Sequence, residues 1–258
     1  MSARVLSLTA ALLAALVLGS PTPATSATSV LPLAAASAPS GPATARTAPG
    51  LPRVGTCHQL SRRQSQAFSD TKRAVPCSGR HNTRTVSVVR VPGSVDLADF
   101  GQVYRAAGPA CTRARARVLG SSVTRRALTP YLFNFFVPTA AQQRRGASWI
   151  RCDLGIRGAG DRLISLDEDL RLPDGPLPER LSACEDRRGY AVHCGVPHVT
   201  RSVGALQVGR AYPSPATVQR AAVRCQRFGA GRYDVGVPDE LQWRAGNRVL
   251  VCDLLTRR

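Results

Sequence analysis

The sequence predicts an α+β protein made of two tandem small disulfide-stapled domains, each a strand-rich sheet with one packed helix. Three observations predict it. The 258 residues contain two internally similar halves, the eight cysteines divide four to a half, and each half runs through the same succession of β-type and helical patterns.

The repeat rests on two blocks that recur in order. Residues 74–86 (AVPCSGRHNTRTV) align with 191–203 (AVHCGVPHVTRSV) at seven of 13 positions, including the spacing Cys, three residues, His. Residues 133–154 align with 233–254 at a constant offset of 100, with eight of 22 positions identical and a shared final Cys-Asp-Leu. The cysteines fall in matching order: Cys57, Cys77, Cys111, Cys152, then Cys184, Cys194, Cys225, Cys252. Duplication accounts for eight cysteines in this order better than eight separate acquisitions. The first copy is expected over 53–158 and the second over 181–258. The connection at 159–180 is rich in Gly, Pro and acidic residues.

Within each copy the elements follow from periodicity. Residues 84–91 (RTVSVVRV) alternate Val with polar residues and read as a strand, as do 200–208. A helix follows: Phe100, Val103, Ala107, Cys111, Ala114 and Val118 recur at helical spacing, with Asp96 or Asp99 placed to cap it. Its counterpart opens on Pro215, a first-turn residue, and continues through Val218, Ala222 and Cys225. Cys111 and Cys225 therefore face a core. Residues 131–137 and 148–154 read as two strands joined by a Gln/Arg/Gly connection, repeated at 233–237 and 248–255.

Ahead of the copies, residues 1–27 have the pattern of a secretory signal. Arg4 is followed by an apolar run from Val5 to Leu18 and then by small residues around 24–27. That run is too short to span a bilayer as a helix, so a secreted or envelope-associated protein is expected, with membrane contact peripheral at most. Residues 28–52 hold Ala, Pro, Ser, Thr and Gly with Arg46 as the only charge, the composition of a disordered tether.

The net charge is +19, unevenly placed. Over 53–160, 18 basic residues stand against four acidic ones; over 161–258 the figures are 15 and 12. A basic first copy favours an anionic partner, either a cell-wall polymer or an envelope or division protein. Few aromatics alternate with the arginines, so nucleic-acid binding is expected only as a non-specific property. Neither the charge nor the composition fixes an oligomeric state.

In an exported chain an even cysteine count reads as a disulfide framework. Four cysteines allow three pairings per half. The expected one joins first to second and third to fourth: Cys57–Cys77, Cys111–Cys152, Cys184–Cys194 and Cys225–Cys252. The second bridge of each copy then pins the helix to the last strand. A zinc site on Cys77 and His81, or Cys194 and His198, lacks the four ligands at recognisable spacing that such sites need, so no metal and no cofactor are expected. His81 and His198 recur in both copies and read as braces of the turn after the cysteine, with ligand contact as the rival role. Arg84 and Arg201, three residues on, are candidates for a shared basic rim that would hold an anion. His58 and His193 have no counterpart and read as surface or turn residues.

Catalytic templates fail. There is no nucleophile elbow, no phosphate-binding GxxxxGK loop and no HExxH, and residues 53–160 carry only Asp70, Asp96, Asp99 and Asp153 as acids. The chain reads as non-enzymatic. The alternative is a secreted hydrolase of wall polymers drawing on the spare acids of the second half.

The cysteine pattern resembles the septum formation domain family of secreted and membrane-anchored actinobacterial proteins. The resemblance rests on Val54-Gly55-Thr56-Cys57, on Val75-Pro76-Cys77 with His81, on Cys111, and on Trp149 with Cys152. In the second copy it rests on Cys184, on Cys194 with Pro197-His198, on Cys225, and on Trp243-Arg244-Ala245-Gly246 before Cys252. Three features depart from it: Arg80 replaces a proline, Arg84 and Arg201 stand where an acid follows the His, and Trp149 lies closer to its Cys than Trp243 does. The resemblance implies a role in the envelope or in division and supplies no mechanism.

Overall fold

In the first copy, β1 (Cys57–His58) and a helical turn, α1 (Arg62–Ser65), lead into β2 (Thr83–Arg90). The long helix α2 (Phe100–Leu119), the short α3 (Val123–Ala127), β3 (Tyr131–Phe136), α4 (Ala140–Arg144) and β4 (Trp149–Ile156) follow. The computed structural model describes residues 50–256; the expected signal and most of the tether lie outside the described residues. The second copy comprises β5 (Ala183–Glu185), β6 (Ala191–His193), β7 (Thr200–Gln207), α5 (Pro215–Cys225), β8 (Tyr233–Gly236), α6 (Glu240–Arg244) and β9 (Val249–Leu255).

The two sheets have one topology. Their strand orders are β1-β2-β4-β3 and β6-β5-β7-β9-β8, antiparallel throughout, the second adding β6 at its edge. Both ladders also break register at the same place, between Thr85 and Ser87 and between Ser202 and Gly204. These positions correspond across the repeat, so the irregularity is a feature the two sheets share.

Local chemistry sets the helices. Asp99 caps α2 by accepting from the backbone N–H of Gly101 and Gln102, and Ser214 caps α5 with Pro215 in its first turn. On α2, Val103, Ala107, Cys111 and Ala114 are buried at spacings of four and three, forming the stripe that meets the sheet. On β4, Ile150, Cys152, Leu154 and Ile156 supply the other side, all fully buried. Each such Ile or Leu contributes about 1.5–3 kcal/mol. The four expected disulfides are the ones present, with Cα–Cα distances of 5.3, 6.1, 5.0 and 5.5 Å in chain order. Cys111–Cys152 and Cys225–Cys252 staple the helix of each copy to its central strand, each bridge stabilising by about 2–4 kcal/mol.

Two features differ from the sequence reading. The Gln/Arg/Gly connection between the last two strands forms a helical turn in both copies, α4 and α6, capped by Thr139 and Asp239. The connection at 159–180 is built into the first core, which it joins through Leu166, Leu170 and Leu172. The copies also meet directly: α2 packs on α6, and α3 packs on β7 and β9.

No helix among the described residues is long and apolar enough to cross a membrane, and the four bridges suit an oxidising compartment.

Candidate functional site

The residues singled out in the sequence are held in place by the fold, and they do not form one site. His81 is 1 % exposed and donates from Nδ1 to the carbonyl of Gly79 at 2.9 Å; His198 does the same to Val196 at 2.7 Å. Each ring braces the turn that follows a bridged cysteine. Arg84 donates to the backbone carbonyl of Glu168 at 2.6 Å, and Arg201 pairs with Glu179 at 2.8 Å. Both guanidiniums reach the 159–180 connection, Arg84 through a neutral carbonyl and Arg201 through a carboxylate.

His58 is a correction of a different kind. It is 5 % exposed rather than on the surface, because Asp70, from the segment after β1, folds back against it. There it belongs to a buried polar cluster. Arg151 bridges Asp70 at 2.7 Å and Asp153 at 3.0 Å, lies 4.4 Å from the centre of the Phe136 ring, and leaves His58 3.7 Å from Asp70. Burial, with the nearby Arg151, holds the His58 imidazole below its usual value, and burial raises the Asp153 carboxyl. In the second copy Asp253 matches Asp153 and Ser202 matches Thr85, with the same hydroxyl-to-carboxylate bond at 2.6 and 2.7 Å. Val251 stands in place of Arg151.

A concave surface at the seam between the copies has two parts. One is an open groove of about 360 Å³ lined by Arg113 and Arg126 from the first copy, by Arg244 and Arg248 from the second, and by Thr112 and Gly246. The other is a chamber of about 370 Å³ that shares Thr112 and Arg126 with the groove and adds Arg115. Arg244 pairs with Glu240 at 2.9 Å; Arg113, Arg115, Arg126 and Arg248 form no ion pair among the described residues.

Two of these arginines are withdrawn from solvent, Arg126 buried and Arg115 partly buried. Arg126 is 7 % exposed; one terminal nitrogen donates to the Gly120 carbonyl and its Nε has no partner. Arg115 makes no hydrogen bond among the described residues, and its guanidinium sits 5.6 Å from the centre of the Phe133 ring. Burial and the neighbouring Arg126 push the Arg115 pKa down to about 10, and burial lowers that of Arg126. Both remain cations at neutral pH. A guanidinium brought out of water beside a like charge, without a counterion, raises the free energy of the empty site and favours any anion that enters. Arg suits the role, since its planar fork stays charged and grips phosphate or carboxylate through two parallel bonds.

The sequence reading missed these arginines, although one carried a signal. Arg115 lies four residues after Cys111, which puts a charge in register with the buried stripe of α2. No periodicity marks Arg126 or Arg248, because the seam is a tertiary feature.

No family model, no curated protein and no solved structure matches the chain.

Proposed function

We propose that this protein is a secreted or envelope-associated, non-enzymatic binding protein that holds an anionic cell-wall polymer along the seam between its two copies. The observation that carries the reading is the set of arginines in the groove, drawn from both copies and mostly free of carboxylate partners. It modifies the expectation from charge alone: the binding face belongs to neither copy by itself, though the first supplies most of the molecule's positive charge. A groove lined by one sign of charge concentrates its field and attracts a polyanion over a distance set by salt. The secretory pattern of residues 1–27, the four bridges and the resemblance to the septum formation domain support the envelope location.

The test is retention on purified cell wall, before and after its anionic polymers are stripped. Retention that drops on stripping supports the reading. Equal recovery from both preparations would remove it.

A further inference from the structure

The groove accounts for binding an extended anion; the chamber behind it has a composition that a plain polyanion does not use. The whole chain has 13 aromatic residues, and five of them, Phe100, Tyr104, Tyr131, Phe133 and Phe135, line this one cavity. Phe100 is 51 % exposed and reaches solvent at its edge. Around the aromatic wall stand the two unpaired guanidiniums of Arg115 and Arg126 and the side-chain amides of Gln242 and Asn247.

Comparison of the copies explains why one amide is free. In α4, Gln142 is tied into a reciprocal cap with Thr139, its Oε1 accepting from the Thr139 N–H at 2.8 Å. In α6 the cap is Asp239, which accepts from the Gln242 N–H at 2.8 Å without reciprocation, so the Gln242 side chain is left out of the cap, and the residue lines the chamber. Neither Gln242 nor Asn247 uses its side chain in a hydrogen bond among the described residues.

We infer that the chamber is a binding site for a sugar ring carrying a phosphate, such as one unit or the terminal residue of the polymer. This rests on the seam being an anion-binding face. The two forks of Arg115 and Arg126 take the phosphate oxygens, the aromatic wall takes the apolar face of the ring, and the amides of Gln242 and Asn247 with the hydroxyl of Thr112 meet the ring hydroxyls. The volume lies within the roughly 300–1,000 Å³ of small-ligand sites. A lipid tail is disfavoured by the amides and arginines in the lining. A nucleobase is disfavoured by ring geometry: Phe100, Tyr104, Phe133 and Phe135 pack on one another at 51–86° and centroid distances of 5.1–6.0 Å, leaving no parallel pair to sandwich a flat base.

Isothermal titration of the secreted protein with glucose 1-phosphate, inorganic phosphate, glucose and AMP tests the inference. Glucose 1-phosphate is expected to bind at least tenfold more tightly than phosphate or glucose alone, and more tightly than AMP. Arg115→Gln and, separately, Asn247→Ala are each expected to lose tenfold, with the near-UV circular dichroism of the wild type retained in at least one. Equal affinity for inorganic phosphate, or tighter binding of AMP, would overturn the assignment to a sugar phosphate. Retention on cell wall without binding of glucose 1-phosphate would sink the chamber and leave the groove standing; the reverse result would do the opposite.

Discussion

Arg115 and Arg151 are both cations carried by core elements and both stack on a phenylalanine, 5.6 Å from Phe133 and 4.4 Å from Phe136. Only one of them is neutralised. Arg151 reaches Asp70 and Asp153, and breaking such a buried pair costs about 3–5 kcal/mol because a partner charge is left stranded. Arg115 has no such partner, and a stack on one ring returns only about 0.5–2 kcal/mol against the cost of burial. The same fold therefore treats one arginine as a strut and leaves the other with unmet demand. A parallel contrast separates the carboxylates. Asp153 has Arg151, whereas Asp253 faces Asp234 directly across the β8–β9 pair, and Gly236, where a Cβ would lie 2.8 Å from Asp253 Oδ2, leaves it room. Burial first, and Asp234 after it, raise the Asp253 carboxyl; burial and the charges of Asp253 and Asp234 raise Glu185. A carboxyl raised in the folded state contributes most favourably when protonated, and that contribution is lost as pH climbs from the ordinary carboxylate range through the raised value. Asp253→Asn, which keeps an oxygen for the Ser202 hydroxyl, should raise stability at pH 7 by on the order of 1 kcal/mol and leave it unchanged near pH 3. Thermal melts of both proteins across pH 3–8 check this.

At the scale of elements, the seam depends on how closely α2 approaches α6, and Gly108 sets that approach. A Cβ there would lie 2.9 Å from the Tyr104 ring and 3.1 Å from the Ala245 Cβ, so a side chain pushes at once on a chamber wall and on the second copy. Gly108→Val is expected to cost about 1–3 kcal/mol and to weaken wall retention, while Gly93→Val, in open space, does neither. Denaturant melts and the retention assay together check the pair. The elements were legible to different degrees for physical reasons. Strands β2, β4, β7 and β9 and helices α2 and α5 were readable because each has a long run with one period, and the disulfide order was readable because the repeat doubled it. Strands β5 and β6 are three residues each and carry no period. The turns α4 and α6 are fixed by a capping residue, Thr139 or Asp239, that accepts from the backbone N–H three places on, which a strand-connection reading passes over. The 159–180 connection looked like a spacer because Gly, Pro and acids dominate it, yet three leucines at wide spacing suffice to bind it to the core.

For the whole molecule, the two copies have diverged in complementary directions. In the first copy the segment between β1 and β2 brings Asp70 against Arg151 and His58 and closes that buried cluster. The first two cysteines of the second copy stand ten positions apart where those of the first stand 20 apart, and α3 of the neighbouring copy packs on the second sheet. Joining the copies in this way brings α2, α3 and β3 against α6 and β9, and the groove and chamber are what that contact encloses. The charge asymmetry is legible in the sequence and points to the first copy as a whole; the candidate contacts, His81, His198, Arg84 and Arg201, stand out only because they recur, and recurrence between copies marks what both copies need to fold. A site made where the copies meet is absent from either copy alone and leaves no repeated signature.

The most direct measurement is fluorescence anisotropy with a labelled poly(glycerol phosphate) chain, titrated at several salt concentrations with the wild type and with the combined Arg113→Gln, Arg244→Gln, Arg248→Gln variant. The account predicts binding that weakens as salt rises, with the variant at least tenfold weaker and shallower in its salt dependence. A variant that binds with wild-type affinity and the same salt dependence would contradict it, because attraction would then come from net charge spread over the surface and not from the seam.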